Sequence, residues 1–291
     1  MKITKAHLLK NSIVTLGPQG TYSEIATKQY LKTNNLDFEI SYASTLGRAL
    51  NSIGRTASAG MLPIENFSEG FVNPVLDHLV NSQLYIRAEM LLPIRFSLVS
   101  NCLNVDDVDR VFVQFVAKGQ CAEYLESIQG VSYISTESNT QSLALMLENE
   151  GAAAVVPSHL LAGHHFNLVI DNVTDYKNNQ TRFLLFSDRM SESEICPLVS
   201  FKTSIIVLFH DDYPGYLETI LRCFTARNIN LTSIVSRPTR QTFGKYHFFI
   251  DLDGHLQDKN VSEAVDEISK RFKVKVLGSY AKSATELIAN S

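Results

Sequence analysis

The 291-residue chain reads as an α/β protein in two parts: a long region of alternating strands and helices, then a compact unit in the order βαββαβ, a ferredoxin-like split motif. Three observations predict this. Short apolar runs such as IVTL (13–16), AGMLPI (59–64) and AAAVV (152–156) recur between glycine-containing or polar turns. The stretches between them carry apolar residues at helical spacing, as at Leu46, Leu50 and Ile53. A polar, proline-broken segment, MSESEICPLVS (190–200), separates the two patterns. The expected division is a first region at 1–190, a linker at 191–201 and a second region at 202–285.

Taken in order, 13–16 predicts a buried strand, followed by GPQGTYS and a helix from about Ser23 to Leu31. Ser44 or Thr45 can cap the next helix. Ala59–Ile64 predicts a second buried strand ending at Glu65-Asn66, with a helix over Asn73–Val80 beyond it. Leu84–Val99 is strand-rich and broken at Pro93. Val108–Val116 predicts a strand leading into a helix through Tyr124. Strands follow at Val131–Ser135 and Ala152–Val156 around a helix at Thr140–Glu148. Leu168–Asp171 reads as a last buried strand, and Arg182–Phe186 as a returning one. In the second region, strands are expected at Ser204–Phe209, Asn230–Ser236, Lys245–Asp253 and Lys273–Ser279. Its helices start at Pro214-Gly215, with Leu217, Ile220, Leu221 and Phe224 on one face, and at Val261.

Composition narrows the function classes. With 45% hydrophobic and 19% charged residues, the chain is expected to fold rather than stay disordered. The net charge is −4 and no Lys/Arg tract occurs, so the electrostatic footprint of a nucleic-acid binder is missing. No apolar run approaches the roughly 20 residues that span a bilayer. The segment before Ile13 lacks the apolar core of a signal peptide. The four cysteines form no CxxC pair, and the histidines, His164-His165 included, form no metal-ligand pattern. A cytoplasmic protein with reduced thiols, no metal and no membrane association is expected.

Three segments carry the chemistry. In TLGPQGTYSE (15–24), glycines let the backbone turn tightly, and Thr21 and Ser23 place hydroxyls at a helix start whose unpaired N–H groups suit a carboxylate. Alone, it reads equally as an ordinary capped turn. In MLPIENFSEG (61–70), a buried strand delivers Glu65 and Asn66 to its carboxyl end, where α/β sites lie, with Ser68 close behind. That too reads alone as a strand end before a capped helix. In NNQTRFLLF (178–186), Thr181 offers a hydroxyl, Arg182 a planar fork for a carboxylate, and Phe183 an apolar wall. An arginine at a strand start is, by itself, more often a solvated or ion-paired one.

Jointly, these segments resemble the prephenate dehydratase family. GPQGTYSE is similar to its GPxGTxS segment, LPIENFSEG to PIENSxEG, and NNQTRF to the signature ending in Thr-Arg-Phe. ISTESNTQSLALM is similar to its Thr/Ser-rich segment at Thr136 and Ser138. Beyond the linker, PGYLETILRCFTARNINLTSIVSRP and YHFFIDLDGH resemble the ACT domain attached to these enzymes. The resemblance spans roughly residues 13–280.

The resemblance implies a bilobal, periplasmic-binding-protein-like catalytic region with a carboxy-terminal ACT domain. It implies decarboxylating dehydration of prephenate to phenylpyruvate without a cofactor, since aromatisation drives the reaction. Thr181 would act on the leaving hydroxyl, Arg182 would hold a carboxylate and Phe183 would shape the pocket. Thr21, Ser23, Glu65, Asn66, Ser68 and Ser138 would contact substrate. Phenylalanine would bind the ACT domain at Gly215, Leu217, Asn230, Leu231, Ser236, Arg237 and Pro238, in a homodimer or dimer of dimers. The chain departs from the family at Phe67, Pro74, Asn139, Tyr216 and Val235, and Val113–Val116 replaces Ser-His-Pro-Gln. Such exchanges fit altered substrate preference, such as arogenate, or weakened feedback. The competing readings are an arogenate dehydratase and a non-catalytic sensor of small carboxylates or amino acids; the retained Thr181 disfavours the sensor.

Overall fold

The computed structural model describes residues 11–190, 199–209 and 213–283. Most of the expected linker, 191–198, lies outside the described residues. The chain opens with parallel strands β1 (Ser12–Leu16), β2 (Glu39–Ala43) and β3 (Ala59–Asn66), with helices α1 (Tyr22–Thr33) and α2 (Leu46–Ser52) between them. Thr21 caps α1 and Thr45 caps α2, each accepting a main-chain N–H three residues on. The short β4 (Gly70–Phe71) folds back on β3 before α3 (Asn73–Asn81) and β5 (Tyr85–Pro93).

The chain then crosses to a second sheet. Its elements are β6 (Phe96–Ser100), β7 (Arg110–Gln114), α4 (Phe115–Gln120), α5 (Ala122–Ser127), β8 (Ser132–Thr136), α6 (Asn139–Glu148), β9 (Ala152–Pro157) and β10 (Leu168–Ile170). The strand order is β10-β6-β9-β7-β8. The chain then returns to the first sheet as β11 (Gln180–Ser187), antiparallel between β3 and β5, giving β2-β1-β3-β11-β5. Two lobes result, joined by two crossovers. These crossovers are stitched together by Ile94 N–H to Asn179 C=O (2.8 Å) and Val173 N–H to Phe96 C=O (2.9 Å). One expectation is corrected: β10 is no buried strand but a half-exposed edge paired with β6 alone, with Val169 42% exposed.

The last unit contains β12 (Phe201–Leu208), α7 (Tyr216–Thr225), β13 (Leu231–Pro238), β14 (Tyr246–Asp253), α8 (Lys259–Ser269) and β15 (Lys273–Ala281), in sheet order β13-β14-β12-β15. Strand alternation divides its apolar residues between two faces. Ile205, Val207, Ile250 and Leu252 pack under both helices, against Ile220, Phe224, Ala264 and Ile268. The face of α7 differs from expectation. Tyr216, Ile220, Cys223 and Phe224 are buried, while Leu217 and Leu221 lie at its half-exposed flank. No helix among the described residues is long and apolar enough to cross a membrane.

The opposite face of that sheet is buried against the first lobe. Ile206, Phe249, Leu277 and Tyr280 join Leu62, Leu184, Phe186 and Ile86 in one core. The approach is close enough to require glycine: Gly278 has φ +147°, and a Cβ there would stand 2.4 Å from the Ile86 carbonyl oxygen. Backbone cannot yield as a side chain does. Gly278→Ala should therefore lower stability by about 1–3 kcal/mol, measured as a drop in urea midpoint. An unchanged midpoint would mean that this packing does not persist in solution.

Candidate active site

The β3–β11 register pairs Thr181 with Asn66 and Arg182 with Glu65. Successive side chains leave a strand on opposite faces, so these two pairs serve different surroundings. Asn66 Oδ1 accepts Ser68 N–H (3.0 Å), Ser68 Oγ–H (2.7 Å) and Glu69 N–H (3.1 Å). Two of those donors are main-chain amides, which fixes the orientation of the Asn66 side chain. Its Nδ2 therefore points the other way and donates to Thr181 Oγ (2.8 Å) and to the Gln180 carbonyl (3.3 Å). Thr181 is buried, 9% exposed as a residue; its hydroxyl is thus used as an acceptor on one side and retains its own hydrogen to give.

Thr21 and Ser138 stand at facing helix starts. Thr21 Oγ donates to the Leu16 carbonyl (3.2 Å) and accepts Glu24 N–H (3.4 Å) at the start of α1. Ser138 Oγ accepts Gln141 N–H (3.1 Å) and bonds Thr140 Oγ (3.0 Å) at the start of α6. The two starts meet across the lobes: Gly20, at φ +82°, would place a Cβ 2.9 Å from Thr140 Cγ2. A helix start carries first-turn N–H groups without intrahelical partners and a partial positive charge, which suits an anion, and these two starts lie side by side. Ser23 differs from the expectation. It is buried within α1, and its carbonyl accepts the Thr15 (3.1 Å) and Thr27 (2.7 Å) hydroxyls. Glu24 binds Gly20 N–H at 2.5 Å; burial opposes its charge, yet Lys28, Tyr42 and Gly20 hold its carboxyl below the usual range.

Arg182 and Glu65 do not join Thr181. The Arg182 guanidinium turns to the other face of the sheet, toward the ACT-like unit. There it donates to Glu89 Oε2 (3.0 Å), Asp251 Oδ2 (2.6 Å) and the Tyr280 hydroxyl (2.8 Å), with Glu65 at 3.6 Å. Lys202 adds a second cation 3.4 Å from Glu89, and Ser204 donates to Asp251 (2.5 Å). Burial opposes the charge on Arg182, but Asp251, Tyr280 and Glu89 more than offset it and raise its pKa. Glu65 is pushed up by burial, with Arg182 opposing. The fork expected to clamp a substrate carboxylate is committed to protein carboxylates. Phe183, 1% exposed, lies in the first-lobe core with Ile13, Met61 and Leu92, so it supports the site from beneath.

The expected effector residues are also dispersed. Gly215, at φ +90°, caps α7, and Leu217 is half-buried on that helix. Asn230 donates to Asp253 (3.0 Å), Leu231 packs at the edge of the ACT-like core, and Ser236 and Pro238 are exposed on β13. Tyr216 turns inward against Phe248 and Phe272, so its bulk fills the core and not the surface. Arg237 makes a bidentate pair with Asp77 of α3 (2.8 and 2.9 Å), and Arg240 binds the same carboxylate. This arginine, expected at an effector, ties the ACT-like sheet to the first lobe.

Arg237 beside it holds the Asp77 carboxyl below the usual range, against burial. The lowered folded value means that the clamp contributes fully above about pH 3.9 and is lost as pH falls through the folded value. Between about pH 5 and 3, the melting temperature of the protein should therefore fall more steeply than that of Asp77→Asn. Parallel curves would dismiss the clamp.

Two departures from the family pattern are exposed aromatic side chains, one on each lobe. Phe67, 66% exposed, makes an edge contact with Tyr176 at 6.2 Å, beside the Gln180–Thr181 strand start. On the second lobe, Phe115 is 77% exposed, and α4 approaches the 67–70 loop through Gly119, near Glu69. The sequence reading missed Asp77, Glu89, Asp251 and Tyr280. A carboxylate flanked by apolar residues in FFIDL was a visible signal for Asp251; Glu89 and Asp77 lie in ordinary mixed segments.

The family model described as prephenate dehydratase matches residues 13–191, and that described as ACT domain matches 203–269. A bifunctional chorismate mutase/prephenate dehydratase of Aquifex aeolicus is 33% identical over 279 residues, covering 94% of this chain and 74% of the relative. A prephenate dehydratase of Methanocaldococcus jannaschii is 31% identical over 280 residues, covering 94% and 98%. Among solved structures, the Arthrobacter aurescens prephenate dehydratase in complex with L-Phe superposes with a TM-score of 0.81 at 30% identity, covering 94% of this chain and 90% of that one.

Proposed function

The chain belongs to the prephenate dehydratase family, and from that premise we propose that it converts prephenate to phenylpyruvate under feedback by phenylalanine. The observation that carries this reading is the Asn66–Thr181 hydrogen bond. The reaction breaks two bonds, C–C to the departing carboxylate and C–O to the departing hydroxyl. The electrons of the first become ring π electrons; the hydroxyl takes up a proton and leaves as water. Thr181, held as an acceptor by Asn66, directs its own hydrogen to that oxygen. A threonine is too weak an acid to act by pKa alone, so its value lies in position and in a dry surrounding. Thr21 and Ser138 fix the two helix starts, whose N–H groups receive the carboxylates. Ser68 secures Asn66, and Phe183 backs the strand from the core. Arg182 serves by anchoring that strand to the regulatory sheet.

Residues 1–190 form the catalytic region in this proposal, 191–201 the linker and 202–285 the ACT domain. The relative bound to L-Phe supports phenylalanine as effector. The contacts proposed for it are Gly215, Leu217, Asn230, Leu231, Ser236 and Pro238, in a homodimer or dimer of dimers that works in the cytoplasm. Tyr216 does not block such a site, because its ring is withdrawn into the core. Incubation of the purified protein with prephenate should yield phenylpyruvate, and added phenylalanine should suppress it. Arogenate serves as the comparison substrate. No aromatic product from either substrate would end the enzymatic reading.

A further inference from the structure

We propose that His159 is a positioning residue, latching the second lobe to the main chain of the Gly17–Thr21 loop and so setting the width of the cleft. This rests on the dehydratase reading above. His159 lies just beyond β9, on the second lobe, and its Nε2 is 3.0 Å from the Gly20 carbonyl oxygen on the first. A carbonyl only accepts, so Nε2 carries the hydrogen and donates. Burial lowers the pKa of the ring, opposed by the Gly20 contact and Glu24, and this favours the neutral form with hydrogen on Nε2.

The partner surface is built to receive the ring. Tyr22 meets it edge-on at 5.0 Å. The Tyr22 hydroxyl is itself pinned to the crossover, donating to the Arg95 carbonyl and accepting Arg95 N–H (3.0 Å). Gly20 is held from both sides: its N–H by Glu24 of its own lobe, its carbonyl by His159 of the other. A side chain at Gly20 would be strained by its φ of +82° and would press on Thr140, whose Cγ2 would lie 2.9 Å from the added Cβ. Thr21 follows Gly20, and Ser138 precedes Thr140, so the latch fixes how closely the two proposed carboxylate-binding helix starts approach. The crossover hydrogen bonds hold the hinge; His159 holds the lobes beyond it.

Asparagine and glutamine separate a hydrogen bond from mere volume. The Gln amide nitrogen reaches the Nε2 position; the Asn amide nitrogen reaches only the Nδ1 position. His159→Asn should raise KM for prephenate about tenfold, with kcat changed much less, while His159→Gln stays within about threefold of the wild type. Hydrogen–deuterium exchange of the peptide over residues 17–24 should be faster in the Asn variant and near the wild-type rate in the Gln variant. Wild-type KM and exchange in His159→Asn would overturn the latch, as would equal loss in both variants. A wild-type protein inert toward prephenate would instead sink the dehydratase reading, and the exchange comparison would still decide the latch.

Discussion

Thr181→Ala should lower kcat by about 10²- to 10⁴-fold, the usual worth of a positioned proton donor. The fold should persist. The substitution removes one methyl and one hydroxyl from a strand held on both edges, by β3 and β5. It leaves the Asn66 amide without one of its acceptors, at a cost of about 1 kcal/mol, and the Gln180 carbonyl remains as its second acceptor. Phenylalanine binding, monitored by calorimetry, should be retained. Thr181→Ser keeps the oxygen and should recover most of the rate. A turnover number unchanged in the Ala variant would remove Thr181 from the mechanism.

The second large effect concerns stability. Arg182→Met should destabilise the protein by about 3–5 kcal/mol, because it strands Glu89 and Asp251 in a buried setting. Lys202 relieves only part of this, since it lies 3.4 Å from Glu89. Arg182→Lys should rescue poorly: one ammonium cannot span Glu89, Asp251 and Tyr280 as the planar fork does. Urea unfolding of Arg182→Met, Asp251→Asn and the double variant gives the coupling directly. Additive losses would mean that the two residues do not share a network. Because Arg182 follows Thr181 in the same strand, Asp251→Asn should also weaken the inhibition of turnover by phenylalanine.

The fold was largely legible because strand and helix periods are local. IVTL, AGMLPI and the capping threonines Thr21 and Thr45 announce themselves within ten residues. The Thr181–Asn66 pair was approachable through motif resemblance, though no local rule links positions 115 residues apart. Arg182 shows where such reading stops. A strand residue can be assigned to a face only once its neighbours on both edges and its register are known. The sequence shows an arginine beside the key threonine; the register sends it to the opposite side, against a carboxylate 69 residues further on. Arg237 follows the same logic, since its partner Asp77 belongs to another domain. Tyr216 was misjudged for a simpler reason: α7 turns that position inward.

The insertion of β11 between β3 and β5 also bears on synthesis at the ribosome. The second lobe is contiguous, from Phe96 to Ile170, and its strands can pair as they emerge. The first lobe cannot be completed until about residue 187 has appeared, since β3 and β5 are not neighbours without β11. Until then, both strands present unpaired edges and apolar side chains, including Leu62, Ile64 and Ile86, to any chain nearby. Nascent chains stalled before residue 180 should therefore be the aggregation-prone and chaperone-bound species, and Thr181, the residue proposed to act on the leaving hydroxyl, arrives with the strand that ends this exposure.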